Sequence, residues 1–243
     1  MRIGTERMSR IFPLWLWNEH LTRYLFAADF VAGKIVVDCA CGAGIGASIF
    51  LEKGAMQLLG FDVSPAAIAL AHSNNQKAKQ GSFSVADGND LPVENEFTDV
   101  FISLETIEHI DQAEEFLREA RRVLKNDGVF VCSTPNRTVT NPGIGLDSKP
   151  WNKFHIREYT QTEFSALLQT EFEQVQMYGF NKLSLTQLAF ENKIRKIFRI
   201  NGYVWTNLKK FWKIFRDDLG NYQIEKVNAR YEYEYLVAVC RKS

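Results

Sequence analysis

The chain has 243 residues, 46% of them hydrophobic and 24% charged, a composition that excludes a disordered or collagen-like chain and leaves room for one large domain with an inserted segment. Lys+Arg and Asp+Glu both number 29, so no whole-molecule charge marks a nucleic-acid partner. No run of about eighteen apolar residues is present to span a membrane as a helix. Met1 to Arg10 carries three arginines without an apolar stretch before a cleavage site, and reads as a cytoplasmic start. Cys39, Cys41, Cys132 and Cys240 show neither a disulfide framework nor a CxxC metal pair.

The elements alternate through the first half. Residues 1–33 read as an N-terminal helical arm. Ile35-Val36-Val37-Asp38 is a short strand that runs into the turn Gly42-Ala43-Gly44-Ile45-Gly46, followed by a helix. Residues 57–62 form a second strand, and Ser64-Pro65 opens a helix to about Lys79. Strands follow at 83–86, 98–103 and 129–132, with an amphipathic helix from Ala113 to Leu124 before the last of these. Strands separated by helices of this length predict a parallel sheet with right-handed crossovers. In the second half, Thr160 caps a helix from Gln161 to Thr170, and strands are expected at 172–180 and 231–240. The intervening residues 181–230 carry eleven Lys/Arg against four Asp/Glu and many Phe, Trp, Ile and Leu. They read as a helical cap inserted between the last two strands of a single domain, 1–243.

Three acids end three successive strands: Asp38, Asp62 and Asp87, the last followed by Gly88-Asn89. Ligands bind at the carboxyl ends of parallel strands, and glycines there let the backbone approach closely. A carboxylate at Asp62 can accept from both hydroxyls of a ribose. Asp38, four residues before Gly42, would repel a pyrophosphate but suits an ammonium group. That favours S-adenosylmethionine over NAD.

The stretch Val37-Asp38-Cys39-Ala40-Cys41-Gly42-Ala43-Gly44-Ile45-Gly46 resembles the first motif of class I S-adenosylmethionine-dependent methyltransferases. Phe61-Asp62-Val63-Ser64 is similar to their second motif, Ala86-Asp87-Gly88 through Leu91-Pro92 to their third, and Leu117 to Val131 to the helix and strand that follow. The resemblance covers about residues 15–180 and the last strand. It implies a Rossmann-like α/β three-layer sandwich around a seven-strand, mostly parallel sheet. It also implies that Asp38 with the Gly42 and Gly44 backbone holds the methionine part of the cofactor, that Asp62 holds the ribose, and that Asp87, Gly88 and Asn89 address the adenine. Ala40, Val63 and Leu104 complete the lining. Ala40 stands where glycine is commoner in the family; alanine fits there if its φ is negative. Arg23 resembles the arginine that reaches the cofactor carboxylate in ubiquinone-biosynthesis O-methyltransferases. Residues 19–24 also resemble the N-terminal arm of bacterial methyltransferases from glycan-assembly clusters.

After the fourth strand comes Leu104-Glu105-Thr106-Ile107-Glu108-His109. On a helical turn, Glu105, Glu108 and His109 would share one face. Two carboxylates and an imidazole suit Mg, Mn or Zn, or a histidine base. The spacing resembles the metal-binding segment of ubiquinone-type and of small-RNA 2′-O-methyltransferases, and the downstream context makes His155 the further histidine. A hydroxyl acceptor gains most from a base or a metal, so the cluster points to O-methylation of a small molecule or a glycan by in-line transfer. RNA 2′-O-methylation, N- or C-methylation, a NAD-dependent oxidoreductase and a non-catalytic cofactor-binding protein stay open as alternatives. The cap pattern, Phe190, Ile194, Ile197, Phe198 and then Leu208, Phe211, Trp212, Phe215 among lysines, fits helices packed on the domain of a monomer or a homodimer, or a basic-aromatic face at a membrane surface.

Overall fold

A computed structural model gives the fold and describes residues 14–198, 200, 204, 205, 208 and 222–242. The strands are β1 (Ile35–Cys39), β2 (Gln57–Asp62), β3 (Gly81–Val85), β4 (Thr98–Leu104), β5 (Leu124–Pro135), β6 (Gln174–Ser184), β7 (Glu225–Lys226) and β8 (Tyr231–Arg241). They form one sheet in the order β3-β2-β1-β4-β5-β8-β6-β7. The first five are parallel; β8 runs antiparallel between β5 and β6, and β7 antiparallel on β6. The helices are α1 (Leu14–Ala27), α2 (Ile45–Glu52), α3 (Pro65–Asn74), α4 (Ala113–Val123), α5 (Arg137–Thr140), α6 (Gln161–Leu168) and α7 (Leu185–Ile197).

Both faces of the sheet are covered, as a parallel sheet requires. Successive strand residues point to opposite faces. Val37, Phe101 and Phe130 join α4 and α6 through Phe116 and Phe164 on one side. Val36, Val100 and Val131 join α2 and α3 through Phe50 and Ile68 on the other. Each such fully buried side chain contributes about 1.5–3 kcal/mol. The caps follow the sequence. The Ser64 hydroxyl accepts from the Ala67 amide ahead of Pro65, and Thr160 forms a reciprocal capping box with Glu163.

The sheet has eight strands where seven were expected. The extra strand, Glu225–Lys226, lies in the segment read as a helical cap and pairs with Tyr178 and Gly179. Two charged residues carry no apolar alternation by which a strand is recognised. The strand is held from its side chains, because the Glu225 carboxylate accepts from Lys182 Nζ at 3.1 Å and from the Tyr233 hydroxyl at 3.1 Å. β6 also runs four residues further than expected, to Ser184. Of the expected cap helices, α7 is present. Phe211, Trp212, Phe215, Lys209, Lys210, Lys213 and Arg216 lie outside the described residues.

The turn after β1 corrects one expectation. Ala40 has φ +63°, not a negative value. This left-handed conformation is why glycine is commoner there, and an alanine Cβ costs roughly 1–2 kcal/mol in it. Gly44, at φ +71°, has a second constraint: a Cβ would lie 2.6 Å from Asn75 Nδ2. Ala40→Gly relieves the strain at Ala40 but loosens the unfolded chain by about 0.4–1 kcal/mol. It should therefore raise stability by up to about 1.6 kcal/mol, or at most some 3–6 °C in Tm. A thermal melt showing a lower Tm for the variant would contradict the strain.

Candidate functional site

The loop glycines and two acids form a cradle at the carboxyl ends of β1 and β2. Asp62 ties it together: its Oδ2 accepts from the Gly42 amide at 3.0 Å and its Oδ1 from the Ser64 amide at 2.8 Å. Gly42 (φ +56°) has open space where a Cβ would sit. Asp38 is 2% exposed, and among the described residues its Oδ2 has no hydrogen-bond partner. Burial, and then the neighbouring Asp62 charge, push its carboxyl up to about 7. Asp87 is exposed at the end of β3 and accepts from the Asn89 amide at 3.0 Å, while Asn89 Oδ1 is buried without a partner among the described residues. A Cβ on Gly88 would meet Cys39 Sγ at 3.1 Å, so glycine lets this turn close on the core. Val63 is exposed beside Asp62, and Leu104 is half-buried at the end of β4.

Arg23 is not on the surface. It is 2% exposed. Its guanidinium carbon lies 4.8 Å from the Tyr235 ring centroid and 5.4 Å from that of Phe180, and the two rings stack 4.9 Å apart. Arg23 Nη1 is 3.8 Å from Glu105 Oε2, and neither Nη1 nor Nε makes a hydrogen bond among the described residues. Glu19, one helical turn earlier and fully buried, accepts from Asn181 Nδ2 and from the Tyr235 hydroxyl, both at 2.9 Å. Tyr24, next on α1, packs its ring where a Cβ on Gly46 would otherwise sit, 2.5 Å away.

The second cluster lies beyond β4 and β5. Glu105, Glu108 and His109 do not share one helical face. Glu105 adopts φ +53° at the end of β4, and the turn after it, Ile107–His109, is a 3-10 helix. The Glu105 carboxylate therefore points to β5, accepts from the Ser133 hydroxyl at 2.9 Å and faces Arg23. It is not part of the candidate metal group. Glu108, His109 and His155 do converge, with one ligand atom from each inside 4.8 Å of the others. Glu108 Oε2 accepts from the Thr134 hydroxyl at 3.1 Å. Burial, and next the Glu105 charge, hold Glu108 above the usual carboxylate range.

Both imidazoles have their orientation set from behind. His109 Nδ1 lies 2.9 Å from the Phe154 carbonyl, which can only accept, so Nδ1 carries the proton. His155 Nδ1 donates to Glu158 Oε1 at 2.6 Å, and its Nε2 lies 2.8 Å from Asn152 Nδ2. In each neutral ring the lone pair is then on Nε2, and that of His155 accepts from the Asn152 amide. The rings meet edge to face, centroids 4.8 Å apart. Glu158 is 2% exposed and also accepts from Thr140 and Asn141. Sequence reasoning missed Glu158, Glu19 and Tyr24. The signals were present: Glu158 is three residues from His155 and Glu19 is four from Arg23, spacings that bring side chains together on a turn. All four cysteines are buried thiols, and burial raises each of them further from the thiolate.

Asp38 sets a pH dependence. Its folded value, about 7, exceeds its unfolded one. The folded state therefore holds a proton that the unfolded state has lost, and stability is lost as pH rises from about 4 through about 7. The loss is on the order of a few kcal/mol. Asp38→Asn should flatten this fall in denaturant titrations at a series of pH values; an unchanged slope would show that Asp38 is not the group responsible.

A methyltransferase domain family matches residues 37–132. A protein of Mycolicibacterium smegmatis, described as a probable S-adenosylmethionine-dependent methyltransferase, is 33% identical over 63% of this chain; the match spans 57% of that relative's length, somewhat over half. The ubiquinone biosynthesis O-methyltransferase of Azorhizobium caulinodans is 31% identical over 78% of this chain and 70% of its own. A Haemonchus contortus phosphoethanolamine N-methyltransferase, solved with S-adenosylhomocysteine, shares the fold: TM-score 0.62, 16% identity, 93% of this chain and 53% of that one. Strand order, glycine turn, strand-end acids and these relatives agree that this chain belongs to the class I S-adenosylmethionine-dependent methyltransferases.

Proposed function

We propose that this chain transfers a methyl group from S-adenosylmethionine to a hydroxyl oxygen of a small-molecule or glycan acceptor. The observation that carries the oxygen assignment is the convergence of the Glu108 carboxylate with the His109 and His155 imidazoles, a set that can take up a hydroxyl proton. The O-methyl activity named for the Azorhizobium relative supports the same reading.

The residues fit the cofactor. Asp38 offers a buried carboxylate oxygen without a partner, and Gly42 leaves the space that a Cβ would fill. When bound, S-adenosylmethionine supplies an electrophilic methyl with its own leaving group, so the protein mainly positions and deprotonates the acceptor. Asp38 would face the ammonium group, Asp62 the ribose hydroxyls, and Asp87 with Gly88 and Asn89 the adenine. Arg23 would bring a buried guanidinium to the cofactor carboxylate, with Glu105 and the Phe180–Tyr235 stack beside it. As the hydroxyl oxygen takes the methyl, its proton would pass to an imidazole of this cluster. The Glu158 carboxylate behind His155 then steadies the imidazolium.

A second reading rests on the convergence of Glu108, His109 and His155. This carboxylate–imidazole set fits a divalent ion, and the Phe154 carbonyl and Glu158 carboxylate are the outer partners that such ligands use. A metal there would polarise the acceptor oxygen.

The test uses labelled S-adenosylmethionine and a panel of phenolic and glycoside hydroxyl acceptors. His109→Gln and His155→Gln should lower turnover by about a hundredfold or more, while affinity for S-adenosylhomocysteine by calorimetry stays within a fewfold. Glu158→Gln should lower turnover in the same direction, because an amide carries no charge to steady the His155 imidazolium. Chelator leaves the rate unchanged if an imidazole is the base; if an ion is used, chelator abolishes it and Mg or Mn restores it. Variants that turn over like the parent, or label that appears on nitrogen or carbon, would overturn the oxygen assignment.

A further inference from the structure

Most of the apolar stripe of α7 faces away from the other described residues. A helix docked on a domain normally turns its apolar side inward. Here the body-facing side is formed by Leu188, buried with Val139 and Leu183, and by Arg195, which donates to the Pro142 carbonyl at 2.9 Å and lies over the Trp151 ring. On a helical projection, Phe190, Ile194, Ile197 and Phe198 fall on the opposite side, within about 100° of arc. Phe190 is 64% exposed, Ile197 63% and Phe198 71%. Lys193 and Lys196, both exposed, border the stripe on one side.

We infer that this face of α7 binds the surface of an anionic lipid bilayer. Charge selects the occupant. The exposed charges beside the stripe are Lys193 and Lys196, with Glu191 half-buried at its other border. A second copy packed on the same stripe would bring the lysines of both copies to one seam, where they repel. A headgroup layer of phosphates complements them. The two lysines reach headgroups with their tips while their stems lie along apolar surface. The aromatic and aliphatic stripe enters the boundary below, the arrangement of an interfacial helix. Beyond α7 the sequence repeats this composition, with Phe211, Trp212 and Phe215 among Lys209, Lys210, Lys213 and Arg216.

The test is co-sedimentation of the full chain with vesicles of phosphatidylcholine alone or with about 30% phosphatidylglycerol. The anionic vesicles should bind at least about tenfold more protein, and roughly 0.5 M NaCl should remove most of the difference. The triple substitution Phe190→Ser, Ile197→Ser, Phe198→Ser should lower binding about tenfold, and so should Lys193→Glu with Lys196→Glu, with S-adenosylhomocysteine affinity unchanged in both. Equal binding to both vesicles, or none, overturns the inference. So does a dimer by light scattering that the triple substitution dissociates, which would make the occupant a second copy. A large drop in Tm for the triple variant also overturns it, because the stripe would then be covered by this chain's own residues.

Discussion

The register of β1 against its two parallel neighbours is the constraint from which the site follows. Asp38 lies opposite Gly60 of β2 and Ile102 of β4. That alignment brings the ends of three strands to one level, so the chain emerges from each at the same edge. The Asp62 carboxylate then joins the first two exits by accepting from the amides of Gly42 and Ser64. A slip of one residue would send Asp38 into the apolar layer and Val37 to the loop. The apolar alternation that fills both faces therefore also locates the chemistry.

Charge is concentrated where the protein is driest. Glu19, Arg23, Asp38, Glu108, His155 and Glu158 are all buried. Acids outnumber bases in this set, and burial first, then neighbouring carboxylates, raise Asp38, Glu105 and Glu108. Such an arrangement costs folding free energy unless partners neutralise it. An excess of buried carboxylates suits the cationic cofactor and the proton transfer proposed above. The positive φ values at Ala40 and Glu105, one at each cluster, are local costs of the same kind.

Much of this was legible in the residues. The glycine turn, the acids at 38, 62 and 87, Ser64-Pro65 and the Thr160 cap each announce themselves through a local physical requirement. What was not legible depends on geometry that no short pattern encodes. A helical turn was assumed for residues 105–109, but the left-handed residue at Glu105 redirects its carboxylate to Ser133 and Arg23. The negative φ assumed at Ala40 failed because backbone conformation in a ligand loop answers to the loop, not to the residue that occupies it. β7 escaped because its two residues, Glu225 and Lys226, carry no apolar alternation. The role of Glu158 emerges only when the loop after α5 folds back and places His155 against His109.

The place of β8 has a consequence for synthesis. It is the last of the eight strands along the chain, yet it lies inside the sheet, hydrogen-bonded to β5 through seven residue pairs from Val129–Arg241 to Pro135–Tyr235. While the ribosome is still adding residues 231–241, β5 is an unpaired edge, with Phe130, Val131 and Cys132 in its strand. Such an edge is a template for pairing with any other nascent strand. The five-strand parallel half can assemble early, but the buried position of Arg23 beside Tyr235 cannot exist until β8 arrives. The polar cluster on α1 is therefore completed only after β8 has been made and has paired with β5.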